Sequence, residues 1–148
     1  MKYSILPILI LSLILSSCSK NDKVITGQED FLLGKTFLTP AGVTKEECEQ
    51  IKQQGVFYNC FRSMFFSKNG EKKEVNLIFT DIPAAFDQYT FENDTLKINT
   101  KNSTSDIVLE NPIIFVLNKN KDVFTRISSN NERWALDQEG KDIWEYFK

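Results

Sequence analysis

Short β-prone runs follow one another along most of this chain, and turn residues separate them at intervals of about ten residues. Lys68-Asn69-Gly70 joins two of the longest runs, and Asn-Gly in that setting is the strongest short-range signal for a hairpin. Because short turns pair neighbouring strands antiparallel, we expect a mainly β domain, an antiparallel meander that closes into a barrel or folds into a sandwich. The predicted strands are Lys35–Thr39, Val56–Ser67, Lys73–Thr80, Tyr89–Glu92, Thr95–Asn99, Ile107–Glu110, Ile113–Leu117, Val123–Ile127, Arg133–Leu136 and Ile143–Phe147.

One short helix is predicted near residues 44–54. Thr44 and Glu47 have the spacing of a capping box, in which each side chain bonds the backbone N–H of the other residue. Gly55 follows as a typical helix stop. The segment has few apolar positions, mainly Cys48 and Ile51, so we expect the helix to lie on the surface of the domain.

The composition excludes several classes of function. The 148 residues suffice for one domain, and 18 Lys plus Arg against 20 Asp plus Glu give a net charge of −2. Nucleic-acid binders usually carry a basic excess, so no nucleic-acid partner is expected. Histidine is absent, which removes the usual general base and the commonest metal ligand. We therefore predict a non-enzymatic protein with no catalytic residue, no metal site and no cofactor.

The N-terminus has the plan of a secretory signal peptide over residues 1–17. Lys2 precedes an apolar run from Ile5 to Leu15, which is shorter than the roughly 20 residues that a spanning helix needs. The run ends in Leu15-Ser16-Ser17-Cys18, which resembles the lipobox of bacterial lipoproteins. The resemblance implies cleavage before Cys18 and acylation of that cysteine, so that the lipid bilayer is a partner. The alternative is an ordinary signal peptide with a cysteine beside its cleavage site.

The resemblance also implies a location. Ser19 follows the cysteine where lipoproteins retained at the inner membrane carry Asp, which favours the outer membrane of a Gram-negative bacterium. Whether the protein faces the periplasm or the cell surface stays open. Residues 18–30 are mostly polar and are predicted to form a flexible tether that reaches roughly 20 Å. The β domain is then expected over residues 31–148.

Two further cysteines lie in that domain. Cys48 is placed in the first turns of the predicted helix, and Cys60 in the strand that returns after Gly55. The helix rise and the returning strand have similar lengths, so the two thiols can meet. Because a secreted protein meets an oxidising compartment, we favour a disulfide over two free buried thiols.

Two segments resemble small lipocalin-like bacterial lipoproteins. Leu32-Leu33-Gly34-Lys35-Thr36-Phe37 is similar to the segment that leads into their first strand, and residues 89–98 are similar to a hairpin in the middle of their barrel. Lipocalins carry Trp at the position of Thr36, and here the aromatic residue comes one position later. The resemblance implies a lipocalin-like barrel that binds a small apolar or amphipathic ligand.

The candidate ligand-binding aromatic residues lie in the second predicted strand. Phe57, Phe61 and Phe65 fall on alternate positions together with Asn59 and Ser63, and all five are expected to share one face. That face would be one wall of the core, which is the commoner arrangement, or of a ligand-binding lumen.

The candidate polar ligand-binding residues are Arg62, Arg126 and Arg133, each within a predicted strand. An arginine inside a small barrel would bind a ligand carboxylate or phosphate through paired hydrogen bonds. An outward arginine on a solvated face is the simpler interpretation for each of them.

Two other functions stay open for this sequence. Tyr58-Asn59-Cys60 resembles the Tyr-x-Cys of membrane-bound lysozyme inhibitors, which implies an inhibitor or immunity-type lipoprotein. Those inhibitors also carry a Ser-Gly-x-x-Tyr loop, and the most similar stretch here, residues 129–134, lacks the Gly and the Tyr. The other alternative is a structural lipoprotein of the envelope that binds no ligand.

Overall fold

The chain folds into a closed antiparallel β-barrel of eight strands with one short α-helix. The computed structural model describes residues 31–78, 86–100, 110–127 and 130–148. The strands are β1 (Thr36–Pro40), β2 (Phe61–Asn69), β3 (Lys72–Ile78), β4 (Phe86–Glu92), β5 (Thr95–Asn99), β6 (Ile113–Leu117), β7 (Val123–Arg126) and β8 (Arg133–Leu136). Each strand pairs with the next along the chain, and β1 also pairs with β8. The predicted meander is confirmed, and it forms a barrel and not a sandwich.

Local turn chemistry explains the hairpins. Gly70 has a φ of 61° in the turn between β2 and β3, which confirms the hairpin predicted from Asn-Gly. Asn93 and Asp94, with φ of 49° and 61°, connect β4 to β5. Two positive φ values in a two-residue turn match the twist of the strands on either side.

The predicted helix is α1 (Lys45–Gln53), and its capping box is present. The backbone N–H of Glu47 donates to Thr44 Oγ1 at 3.2 Å, and the backbone N–H of Thr44 donates to Glu47 Oε2 at 2.7 Å. These bonds satisfy donors that the first turn of a helix otherwise leaves unpaired. Gly55, with a φ of 73°, follows the C-terminal cap.

Three predicted strands are wrong in whole or in part. Residues 56–60 are not a strand, because Asn59 Oδ1 accepts the N–H of Phe61 at 3.2 Å and turns the chain just before β2. Ile143–Phe147 forms a 3₁₀ helix capped by Asp142, whose Oδ1 accepts the N–H of Trp144 at 3.1 Å. The pairing of β1 with β8 closes the barrel, so no edge remains for another strand. Of Ile107–Glu110, residues 107–109 lie outside the described residues and Glu110 is not in a strand.

Aromatic and aliphatic side chains fill the inside of the barrel. Phe124 lies at their centre, with ring centroids 4.7 Å from Phe37, 6.0 Å from Phe91 and 6.1 Å from Phe115. The described part of the barrel therefore encloses a packed core. Its members are Leu32, Phe37, Met64, Phe66, Val75, Leu77, Tyr89, Phe91, Leu96, Ile98, Ile113, Phe115, Leu117, Phe124 and Trp134.

The two ends of the barrel differ in what they carry. One end, here the hairpin end, has the turns at residues 70–71 and 93–94 and the segment 31–34, whose Leu32 is fully buried in the core. The backbone N–H of Gly34 donates to Phe66 O at 2.9 Å, so the chain enters the barrel at this end. The opposite end, here the arginine end, is where β2 and β8 begin and β1 and β7 finish. Arg62 and Arg126 belong to it.

Candidate functional site

Arg62 and Arg126 lie on the inward face of the barrel, at the arginine end. Side chains alternate along a strand, and Arg62 has the same parity as the buried Met64, as Arg126 has with the buried Phe124. The side chains of Arg62 and Arg126 are 27% and 15% exposed. The outward placement expected for these two arginines is therefore wrong.

Arg133 takes the outward placement. It is exposed, whereas its neighbour Trp134 is 1% exposed and belongs to the core. The structure thus brings two of the three predicted arginines together and leaves the third on the solvated face of β8.

One carboxylate links the two inward arginines. Arg62 Nη2 donates to Glu132 Oε1, and Arg126 Nη1 lies 3.8 Å from Glu132 Oε2. Trp134 Nε1 also donates to Glu132 Oε2, at 3.1 Å, and the Arg62 guanidinium carbon lies 5.9 Å from the Trp134 ring centroid. Because the side chain of Glu132 is 18% exposed and takes bonds on both oxygens, it is a fixed part of this end of the barrel.

Glu132 is a site residue that the sequence reasoning missed. It lies two positions before Trp134, so period-two alternation places the two side chains on the same face. Recognising the buried tryptophan as a core residue would have placed Glu132 inside as well.

A second carboxylate lies at the outer rim. Glu110 Oε2 is 3.4 Å from Arg126 Nη2, and the Glu110 side chain is 43% exposed. Pairs screened by water at this level contribute about 0–1 kcal/mol. Among the described residues, the shielded part of the arginine end therefore holds two positive charges, on Arg62 and Arg126, against the one negative charge of Glu132.

Each of these two arginines has one hydrogen-bond donor without a partner among the described residues. Arg62 Nη2 donates to Pro40 O at 3.4 Å in addition to Glu132. The Nε atoms of Arg62 and Arg126 are both buried, and neither has a hydrogen-bond partner in the described part of the chain. A buried donor left unpaired costs about 1–3 kcal/mol, so an acceptor oxygen that reached either Nε would be favoured.

The candidate phenylalanines do not line this site. Phe57 is 97% exposed in the loop before β2, and Phe65 is 38% exposed on the outer face of β2. Phe61 packs against Trp144 outside the barrel, with ring centroids 4.7 Å apart. The prediction of a shared inner wall is wrong because the inward face of β2 has the other parity, that of Met64 and Phe66.

The predicted disulfide between Cys48 and Cys60 is present, with the two Cα atoms 5.8 Å apart. Both cysteines are 2% exposed. The bond joins α1 to the start of β2 and holds the ends of the loop that carries Phe57. Cys18, the predicted lipidation site, lies outside the described residues.

A separate groove of about 350 Å³ lies outside the barrel, between α1 and the 3₁₀ helix. Val43, Trp144 and Phe147 form its apolar walls. Lys45 Nζ bonds Asp142 Oδ2 at 2.6 Å beside it. This bond, with a smaller effect from the backbone N–H of Trp144, lowers the pKa of Asp142, and the bond to Asp142 raises the pKa of Lys45.

In residues 31–78, 86–100, 110–127 and 130–148, no three His, Cys, Asp or Glu side chains are grouped so as to hold a metal ion. None of the helices in the described part of the chain is long and apolar enough to cross a membrane.

No family model, no curated protein and no solved structure matches this chain. The geometry of the arginine end is therefore the main ground for a functional proposal.

Proposed function

We propose that this chain is a non-enzymatic, envelope-anchored lipoprotein whose lipocalin-like barrel binds a small amphipathic ligand at the arginine end. The observation that carries the proposal is the pair of inward arginines, Arg62 and Arg126, above a core that is otherwise apolar. Buried charges are costly unless they are paired, and here two of them share one shielded carboxylate, Glu132. A site that binds a polar group explains why these charges are kept inside.

The packed core favours an amphipathic ligand over a wholly apolar one. Trp134, Met64 and Phe115 are at most 2% exposed, so the space below the arginines is already filled by side chains. A ligand at this end meets guanidinium groups and Glu132 first. A purely apolar molecule would remove water from these charges without replacing the hydrogen bonds.

Small molecules that copurify with the protein test this proposal. The protein is purified from its native host without denaturation, and its small-molecule content is measured by mass spectrometry. We expect one amphipathic compound near one equivalent per chain, lost in the double variant Arg62→Gln/Arg126→Gln and retained in the matched surface variant Arg133→Gln. Protein that carries no compound, or equal retention in all three proteins, would contradict ligand binding at the arginine end.

The proposed anchor is acylated Cys18, which inserts into the outer membrane of a Gram-negative bacterium. Several acyl chains hold a protein durably, whereas one chain alone binds weakly. Residues 18–30 then form the tether, and the chain enters the barrel at the hairpin end. An anchor attached there leaves the arginine end free for a ligand. The proposal includes no nucleic-acid partner.

Metabolic labelling with a clickable fatty acid tests the anchor. Cys18→Ala is expected to lose the label, because the thioether needs that thiol. Cys60→Ala is the matched control, and it is expected to keep the label while losing the disulfide. Label retained on Cys18→Ala, or absent from the wild type, would rule out the lipoprotein.

A second candidate, the inhibitor or immunity-type lipoprotein, is favoured by the loop at Phe57. This aromatic side chain is 97% exposed, and the disulfide between Cys48 and Cys60 fixes the loop ends. A pre-organised loop that presents an aromatic anchor loses little entropy on binding a protein. Lysozyme inhibition by the wild type, weakened about tenfold by Phe57→Ala and unchanged by Phe65→Ala, would support this candidate. Absence of inhibition by the wild type would exclude a lysozyme inhibitor.

A further inference from the structure

We propose that the arginine end selects its ligand by an anionic group, a carboxylate or a phosphate, which Arg62 and Arg126 bind together. This inference rests on the proposed function and goes further, because it names the chemical class of the ligand's polar end. It also gives the ligand an orientation, with the anionic group at the two guanidinium groups and the apolar part directed away from them.

Two buried donors without partners carry the inference. Both Nε groups are buried and unpaired in the described part of the chain, on side chains that reach the same carboxylate, Glu132. A guanidinium presents its N–H groups in a planar fork that fits two oxygens of one carboxylate or phosphate. Two such forks around one point favour an acceptor with several oxygens over a hydroxyl group with one.

The charge around these donors favours an anion. A ligand anion is not expected to displace Glu132, because Arg62 and Trp134 donate hydrogen bonds to its two carboxylate oxygens. Glu110 is different, since it is 43% exposed and makes a single 3.4 Å contact with Arg126. A ligand anion is therefore expected to take the place of Glu110 on Arg126 and to balance the second positive charge. A ligand cation would meet two guanidinium groups at the same place.

A series of eight-carbon amphiphiles separates the anionic group from the apolar part. The processed, membrane-anchored protein is held in phosphatidylcholine nanodiscs and carries Trp144→Phe, so that Trp134 is its remaining tryptophan. Because Trp134 contacts Glu132 and Arg62, its fluorescence reports on the site. The probes are octanoate, octyl phosphate, octanol and octylamine, with empty nanodiscs subtracted. Acetate and inorganic phosphate test the anion without the apolar chain.

We expect octanoate and octyl phosphate to bind at least about tenfold more tightly than octanol, and octylamine to bind more weakly still. Octanol binding as tightly as octanoate would overturn the anionic class while leaving ligand binding intact. No binding by any eight-carbon probe would overturn both proposals. Acetate binding as tightly as octanoate would uphold the anion site and contradict an amphipathic ligand.

Single substitutions locate the preference. Arg126→Gln and Arg62→Gln are each expected to reduce the ratio of octanoate to octanol affinity about tenfold, whereas the outward Arg133→Gln leaves it unchanged. Arg126→Lys keeps the charge and loses the fork, so an intermediate ratio is expected. If the arginines only stabilise this end of the barrel, the variants lose stability but keep the wild-type ratio of octanoate to octanol affinity. That result would contradict the inference. If a variant fails to fold, the affinities of the protein with Arg62 and Arg126 intact for the four eight-carbon probes still test the preference for an anion.

Discussion

The hairpin end and the arginine end belong to the same strands, but tight turns dominate the first and charged side chains the second. At the hairpin end, residue types that tolerate positive φ, such as Gly70 and Asn93, make tight turns over an aromatic core. At the arginine end, Arg62, Arg126 and Glu132 lie inside the barrel, and a disulfide holds the adjoining loop. Ligand binding is proposed for the arginine end alone, whereas both ends contribute to the stability of the fold. Substitution of Arg62 or Arg126 should then alter binding, whereas substitutions in the core, at the disulfide or at the cap of α1 should alter stability.

The largest effect is expected at the centre of the core. Phe124→Ala removes the ring that contacts Phe37, Phe91 and Phe115, and such truncations cost about 3–5 kcal/mol of unfolding free energy. Urea denaturation followed by circular dichroism measures the loss. Phe65→Ala is the matched control on the outer face, and a smaller loss is expected there. Equal losses in the two variants would mean that the inside of the barrel is not the packed core.

The disulfide should give the next largest effect. The double variant Cys48→Ala/Cys60→Ala removes a cross-link with a sequence separation of 12, worth about 3 kcal/mol in the chain-entropy account. Wild-type protein treated with a reductant is expected to lose a similar amount, and the treated variant to lose nothing more. A wild type that is insensitive to reductant in partial denaturant would show that the bond does not stabilise the domain.

A smaller effect is expected at the cap of α1. Thr44→Ala removes the acceptor for the N–H of Glu47 and is expected to cost about 1 kcal/mol. Thr44→Ser keeps the hydroxyl group and serves as the control. The comparison uses urea midpoints of the two variants, and a Ser variant as weak as the Ala variant would contradict the capping role.

The smallest effect is a dependence on acid. Hydrogen bonds from Thr44, chiefly from its backbone N–H, lower the pKa of Glu47 below its ordinary 4.5. A lowered pKa in the folded state contributes stability above pH 4.5, and that contribution is lost as the pH falls through the folded pKa. Glu47→Gln should therefore lose less stability than the wild type between about pH 6 and pH 3. Parallel losses in both proteins would place the acid sensitivity elsewhere, with Asp142 the next group to test because its pKa is also lowered.

Local sequence signals predicted much of the fold. The bounds of Thr95–Asn99, Ile113–Leu117 and Arg133–Leu136 agree with the structure residue for residue, and the capping box and disulfide are also present. Each of these depends on neighbours within about a dozen residues. The 3₁₀ helix at Ile143–Phe147 was not predicted, because the run is apolar enough for a strand and only the distant pairing of β1 with β8 removes its partner.

The candidate site was predicted only in part, for a similar reason. Phe61, Phe65 and Phe66 place aromatic residues on both faces of β2, so alternation alone could not decide which face points inward. In the closed barrel the face of β2 that carries Phe66 points inward, and Arg62 lies on that same face. Side-chain direction is fixed here by tertiary pairing and not by the local sequence.

Nuclear magnetic resonance of the processed protein in nanodiscs, titrated with octanoate, tests ligand binding at the arginine end most directly. We expect the Nε–H signals of Arg62 and Arg126 and the indole signal of Trp134 to shift together and to saturate, while the amide signals of Gly70 and Asn93 stay in place. Equal shifts at Gly70 and Asn93, or saturable shifts confined to Trp144 in the outer groove, would contradict ligand binding at the arginine end.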